Sequence, residues 1–326
     1  MDIRERARLV LAAAGLPPDA LAVSRPLPGG TYNAVEELRL TDGSRYMLKI
    51  PPPLAAPGLA HERNLLAAEA EFYRAAATVG VPAPEAVGVC TDASAPTGRY
   101  LLMTACPGDP WGAADDADRA VLRTELGGLT ARLHRVTGPG FGYPSGALGP
   151  LAADWRTAFT AMYEAVLDDA RRYGARLPRP VDEVARTAKR AYDLLDEVTE
   201  PRLVHFDLWR GNILVDRAGA APRIGGLIDG ERMLWGDPVA DFVSLALLGD
   251  ITRDEDFLTG YRAGDGPAAL GPPARRRLAL YRSYLYLIML TETVPRAYDP
   301  AHVARVRAYT DPALLAALAE LDRGAA

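Results

Sequence analysis

The stretch Leu203-Val204-His205-Phe206-Asp207-Leu208-Trp209-Arg210-Gly211-Asn212-Ile213-Leu214-Val215, followed a turn later by Gly225-Gly226-Leu227-Ile228-Asp229-Gly230-Glu231, decides the fold. An apolar pair, Leu203 and Val204, delivers His205 and Asp207 into a loop, and Ile213 to Val215 then reads as a buried strand. The loop is therefore held at both ends. Asp216-Arg217-Ala218-Gly219 is rich in turn formers, and a second strand ending at Leu227-Ile228 brings Asp229 back beside the loop. Two carboxylates and one amide, that of Asn212, then share a small volume.

Phosphoryl transfer from ATP calls for such a set. One carboxylate orients and deprotonates the attacking hydroxyl, while a second carboxylate and an amide oxygen hold magnesium against the phosphates. A hairpin with chance polar residues in its turns is the rival explanation, and the complete ordered set in a strand context outweighs it. His-x-Asp-x-x-x-x-Asn followed by an apolar-flanked Asp resembles the aminoglycoside phosphotransferase and choline kinase branch of the kinase-like superfamily, whose members phosphorylate hydroxyls on small molecules. The resemblance implies that Asp207 is the catalytic base, that Asn212 and Asp229 are metal ligands and that His205 braces the loop. Arg210 is a candidate for neutralising developing charge, with a structural salt bridge as its other reading.

The 326 residues suggest two lobes or one large α/β unit, and 49% apolar residues suffice for a substantial core. A net charge of −5 offers no basic footprint for nucleic acid. Cys90 and Cys106, the only cysteines, lack the spacing of a disulfide framework or zinc site. The charged start Met1-Asp2-Ile3-Arg4-Glu5 is unlike a signal peptide, and the apolar run around Leu285 to Leu290 is too short to span a bilayer. A cytoplasmic protein without membrane or nucleic-acid partners is expected.

Lys49 and Lys189 are the only lysines among 37 basic residues, so a lysine inside the strand Tyr46 to Ile50 is conspicuous. The hairpin that carries it runs from Val35 to Leu40, turns at Thr41-Asp42-Gly43-Ser44 and returns. Gly29, Gly30 and Thr31 precede it, where backbone N–H groups can approach phosphates, although an ordinary loop reads the same way. The resemblance makes Lys49 the phosphate-contacting lysine. Its partner is then Glu69, on a helix reaching Val79 before Gly80-Val81-Pro82-Ala83-Pro84; Glu62 and Glu71 read as a solvated helix face. Ala86 to Cys90 and Tyr100 to Thr104 are two further strands, and Thr104-Ala105-Cys106 begins a crossing between lobes. By the resemblance, backbone atoms there meet an adenine ring, with Met103 and Ile228 above and below it.

Farther on, Leu122, Leu126, Leu129 and Leu133 have helical spacing, with His134 a satisfied structural histidine. Helical patterns from 154 to 173 and 181 to 198 form an insertion that the resemblance associates with specificity; Asp154, Trp155, Tyr163, Glu164 and Asp168 are its pocket candidates. After Asp229 there is no long activation loop, which counts against a peptide substrate. Asp237 and Asp241 read as helix caps and loop braces. Closing helices are expected at 241–248, 254–262, 274–293 and 312–321.

The resulting expectation is an α+β, bilobal, protein-kinase-like fold. Residues 1–105 form the nucleotide-binding lobe, with a five-stranded antiparallel sheet and one long helix; residues 106–326 form a mainly helical catalytic lobe. The cofactors implied are ATP, with GTP as the alternative, and Mg²⁺. The partner is a hydroxylated small molecule, first an aminoglycoside, nucleoside or macrolide antibiotic, otherwise a choline-, fructosamine- or sugar-like metabolite, and the state a monomer or homodimer. A nucleotide-binding scaffold without catalysis is the alternative from another class.

Overall fold

The structure, a computed structural model, describes residues 2–28 and 32–323. Helix α1 (Ile3–Ala13) leads into strands β1 (Leu21–Leu27), β2 (Ala34–Leu40) and β3 (Arg45–Ile50), helix α2 (Leu65–Thr78), and strands β4 (Ala86–Cys90) and β5 (Tyr100–Thr104). The five strands form one antiparallel sheet in the order β1-β2-β3-β5-β4. Four of them match the expected runs. The fifth, β1, places the glycine stretch between two strands instead of ahead of the first; its Pro26 is tolerated because β1 is an edge strand.

Alternation along β3 explains why the lysine is there. Leu48 points to one face and packs with Leu38, Leu102 and the Ala7-Val10-Leu11 stripe of α1. Lys49 therefore points to the other face, opposite Val35 and Leu101, toward α2.

The second lobe begins with β6 (Asp109–Pro110) and helices α3 (Arg119–Leu133), α4 (Trp155–Tyr173) and α5 (Val181–Lys189). Short strands follow: β7 (Arg202–Val204), β8 (Ile213–Asp216), β9 (Arg223–Leu227) and β10 (Leu234–Gly236). Helices α6 (Asp241–Leu245), α7 (Glu255–Ala263), α8 (Pro272–Thr291) and α9 (Pro300–Arg323) close it. The strands pair as β6-β8-β9 and β10-β7, so the loop carrying Asp207 leaves one small sheet and enters the other.

Three expectations need correction. The pattern from 181 to 198 is not one helix: α5 ends at Lys189 and a 3₁₀ turn covers Tyr192–Glu197, burying Tyr192 and Leu195. The last helix starts at Pro300 and runs through Pro312, because Asp299 caps it by accepting from His302 N at 2.9 Å and packing holds it beyond the proline. Glu62 is not on a solvated helix face; it precedes α2, is buried and pairs with Arg296.

Candidate active site

The loop from His205 to Asn212 is fixed mainly by one carboxylate. Asp241 accepts hydrogen bonds from His205 N (3.0 Å, Oδ2) and Phe206 N (2.6 Å, Oδ1). It also accepts from His134 Nε2 at 2.9 Å, while His134 Nδ1 takes the Tyr261 hydroxyl at 2.8 Å. Asp241 thus braces the loop and does not cap α6. His134 is the satisfied histidine its isolation suggests.

Phe206 adopts φ +64°, unusual for a residue with a side chain. That twist sends the Phe206 ring into the core against Tyr284, 5.6 Å between centroids, and leaves Asp207 partly exposed. His205 donates from Nε2 to Ile228 O at 3.0 Å and accepts Asp207 N at Nδ1, 3.2 Å. Burial lowers its pKa, in keeping with the neutral tautomer these bonds define. Asn212 Nδ2 donates to Asp207 O at 2.8 Å, so the amide oxygen is the atom left for a further partner.

Asp229 is presented by a second left-handed residue, its own φ being +62°. Gly230 follows because a Cβ there would lie 2.4 Å from the Phe72 ring on α2. This close approach brings Asp229 to Lys49. Lys49 Nζ donates to Glu69 Oε2 at 2.7 Å, Asp229 Oδ1 at 2.5 Å and Glu231 Oε2 at 3.1 Å. Burial works against the ammonium charge, and the Asp229, Glu231 and Glu69 carboxylates overcome it, holding the Lys49 pKa well above its ordinary value. Burial pushes Glu69 up to about 7 against the pull of Lys49, whereas for Asp229 the lysine prevails over burial and the pKa falls. Tyr73 ties the helix to the loop, donating to Glu69 Oε1 at 2.6 Å and accepting Asp229 N at 3.1 Å.

Lys49, Glu69, Met103, Thr104, Cys106, Asn212, Ile228 and Asp229 all line one cleft of about 500 Å³ between the lobes. Asp207 is not among the lining residues; its backbone carbonyl is bonded to Asn212, which is, and burial raises the Asp207 pKa to about 7, with Arg232 acting in the opposite direction. Arg210 points elsewhere. It pairs with Asp116, lies 5.3 Å over the Trp111 ring and lines a separate cavity of about 740 Å³ together with Trp209. Gly29, Gly30 and Thr31 lie outside the described residues. Of the insertion candidates, Asp154 caps α4 by accepting from Thr157 N, Trp155 and Tyr163 are core residues, and Asp168 is exposed beside Arg171.

Three residues of the site carried no assigned role in the sequence. Glu231 completes the acidic cluster, Asn33 donates to its Oε2 at 2.6 Å, and Arg232 pairs with Glu292 at 2.8 Å while facing Asp207. No spacing signal marks Glu231, because Asp229 is left-handed and Gly230–Arg232 form a 3₁₀ turn instead of an extended chain. The carboxylate oxygens of Glu69, Asp229 and Glu231 lie within 4.8 Å of one another, an all-oxygen group of the kind a hard divalent cation takes, and Asn212 lines the same cleft.

A five-stranded lobe with a Lys–Glu pair, facing a loop with one aspartate and a second aspartate behind it, defines a kinase-like phosphotransferase of small molecules. The chain belongs to the phosphotransferase enzyme family known as APH, whose model matches residues 23–281. It is similar to a probable ketoamine kinase of Lactiplantibacillus plantarum, 25% identical over 303 residues that cover 88% of this chain and 94% of that protein. Among solved structures, it resembles a putative fructosamine-3-kinase from Thermobifida fusca (TM-score 0.68, 22% identity, 98% and 100% of the two chains). It also resembles the aminoglycoside phosphotransferase APH(4)-Ia in complex with AMP-PNP and hygromycin B (TM-score 0.65, 16% identity, 96% and 98%). Among the described residues, no helix is long and apolar enough to cross a membrane.

Proposed function

We propose that this phosphotransferase moves the γ-phosphoryl group of ATP to a hydroxyl of a sugar-derived metabolite of the ketoamine type. The observation that carries the chemistry is the convergence of Lys49, Glu69, Asn212 and Asp229 on one interlobe cleft. In this reading residues 1–105 hold the nucleotide and residues 106–326 supply catalysis and bind the acceptor. Lys49, kept charged by its carboxylates, takes the α- and β-phosphates, with Glu69 and Tyr73 fixing its position. Asn212, Asp229 and Glu231 would hold Mg²⁺, whose charge offsets that of the phosphates. Asp207 orients the acceptor hydroxyl and receives its proton; a carboxyl titrating near neutrality is matched to that task. Met103 and Ile228 form the apolar slot for the base. Arg210, paired with Asp116, serves the loop's structure in preference to the transferred charge.

The acceptor class follows from charge pairing. The carboxylates that act on Asp207 already have cationic partners: Asp229 and Glu231 share Lys49, and Glu292 pairs with Arg232 and Arg296. A polycationic aminoglycoside, the acceptor placed first from the sequence, would find few unpaired carboxylates there. The neutral sugar portion of a ketoamine needs none, and such an acceptor carries fewer positive charges than an aminoglycoside. The printed name of the Lactiplantibacillus relative points the same way. Release of ADP measured across fructosyl-lysine, choline, aminoglycosides, nucleosides and macrolides tests the proposal: fructosyl-lysine is expected to give the highest kcat/KM. A panel led by an aminoglycoside would overturn the acceptor, and protein-dependent turnover of none of them would overturn the enzyme reading.

A further inference from the structure

His61 is 1% exposed, yet neither of its ring nitrogens has a hydrogen-bond partner among the described residues. Buried polar groups in folded proteins are bonded as a rule, so each exception calls for an explanation. The residue sits on a strap, residues 51–64, that leaves the end of β3 two residues past Lys49 and reaches α2 without regular structure.

The strap belongs to the first lobe by sequence but is fastened to the second. Ala60 N donates to Asp169 Oδ2 at 2.6 Å, the Tyr173 hydroxyl donates to Gly58 O at 2.8 Å, and Glu62 pairs with Arg296. The His61 ring stacks on Tyr143, 5.4 Å between centroids and 13° apart in plane. Tyr143 is hydrogen-bonded to Tyr284 at 3.0 Å, and Tyr284 packs on Phe206, the neighbour of Asp207. The nucleotide cleft thus reaches Asp207 through Asn212, and the strap reaches it through Tyr143, Tyr284 and Phe206. Nothing in the phosphate-binding machinery needs His61.

We propose that residues 58–62 are a gate over the acceptor side of Asp207, and that His61 is an acceptor-binding residue whose two ring nitrogens are completed by sugar hydroxyls when the gate closes. The chemistry fits the neutral, polyhydroxylated sugar portion of a ketoamine. A neutral imidazole donates from one nitrogen and accepts at the other, and adjacent hydroxyls can do both. A cationic group would instead look to Glu62, which Arg296 already holds. Complete burial of His61 requires the strap to lift before an acceptor can enter; its holds on the second lobe, which also include Arg172 Nη2 on Gly58 O at 3.1 Å and Asn64 Nδ2 on Ser145 O at 3.4 Å, each have a side chain as one partner and can break without unfolding either lobe.

The inference rests on the kinase reading above, and its test separates the two. Carbethoxylation of His61 by diethyl pyrocarbonate, followed by mass spectrometry with His302 as internal reference, reports gate opening without any turnover. Asp169→Asn, which weakens the hold on Ala60, is expected to speed His61 labelling about tenfold, the factor that 1.4 kcal/mol represents; an unchanged rate overturns the gate whatever the acceptor. Fructosyl-lysine is expected to protect His61 and the ATP analogue AMP-PNP alone is not, and the reverse pattern overturns the assignment. In steady-state assays with fructosyl-lysine, His61→Ala should raise the acceptor KM about tenfold or more, for loss of bonds to a buried group. The KM for ATP should move less than about twofold, and His61→Asn should recover part of the loss. Thermal melts show whether each variant is folded. Wild-type KM values for fructosyl-lysine retained in folded His61→Ala overturn the role of His61 while leaving the kinase reading intact. Absence of wild-type turnover overturns the ketoamine reading, and the labelling rate still decides the gate.

Discussion

At the scale of single residues, the site is a set of charges whose neighbours set their protonation. Asp229 illustrates this: Lys49 keeps it ionised despite burial, as its proposed role as a cation ligand requires. Asp229→Ala is expected to weaken binding of the Mg²⁺–ATP complex by roughly tenfold to a hundredfold, measured by titration calorimetry, while binding of ATP in EDTA changes far less. His61 gives a prediction for stability. Burial lowers its pKa from 6.5 to about 4, so the unfolded chain binds more protons than the folded one between these values. Stability held by the neutral ring above pH 6.5 is lost as the pH falls toward 4, by about 2 kcal/mol at pH 5 relative to pH 7. Urea unfolding of wild type and His61→Gln at the two pH values should show this increment in the wild type only. The sequence motifs singled out Lys49, Glu69, Asn212 and Asp229, which the structure brings to one cleft, so their convergence was legible. Arg232, Asn33 and His61 were not, since their roles depend on contacts from remote segments: 198 residues separate Asn33 from Glu231.

At the scale of elements, the loop from 205 to 212 is rigid because it is tied from outside. Asp241→Ala would leave the backbone N–H groups of His205 and Phe206 buried without an acceptor, together with one nitrogen of His134. A loss of roughly 3 kcal/mol or more is expected, at 1–3 kcal/mol for each orphaned group, seen as a lower urea midpoint, with a fall in kcat exceeding any change in nucleotide affinity. An equal loss of nucleotide binding would mean that Asp241 acts on the whole lobe. Elements with strong periodicity were readable: β2, β3, β4, β5, α3 and α4 lie where the patterns put them. The misses have physical causes. The edge strand β1 carries a proline that reads as a break, α9 keeps its helix through Pro312, and the run after α5 tightens into a 3₁₀ turn to bury Tyr192.

At the scale of the whole molecule, two lobes meet along a cleft whose walls come from segments far apart in the chain. Lys49 on one lobe and Asp229 on the other are joined by a salt bridge, and the strap from 51 to 64 clasps the lobes a second time at Asp169, Tyr173 and Arg296. The bilobal plan was readable from the order of strand-rich and helix-rich segments. The clasp was not, because a proline-rich connection gives no sign of what it lies against. The most direct measurement of the central claim compares ATP-dependent phosphorylation of fructosyl-lysine by wild type and Asp207→Asn, with nucleotide affinity determined on the same samples. Loss of the carboxylate base is predicted to lower kcat by roughly 10²–10⁴-fold while nucleotide affinity is retained; a variant that keeps the wild-type kcat would contradict the assignment of Asp207, and with it the account of how this site works.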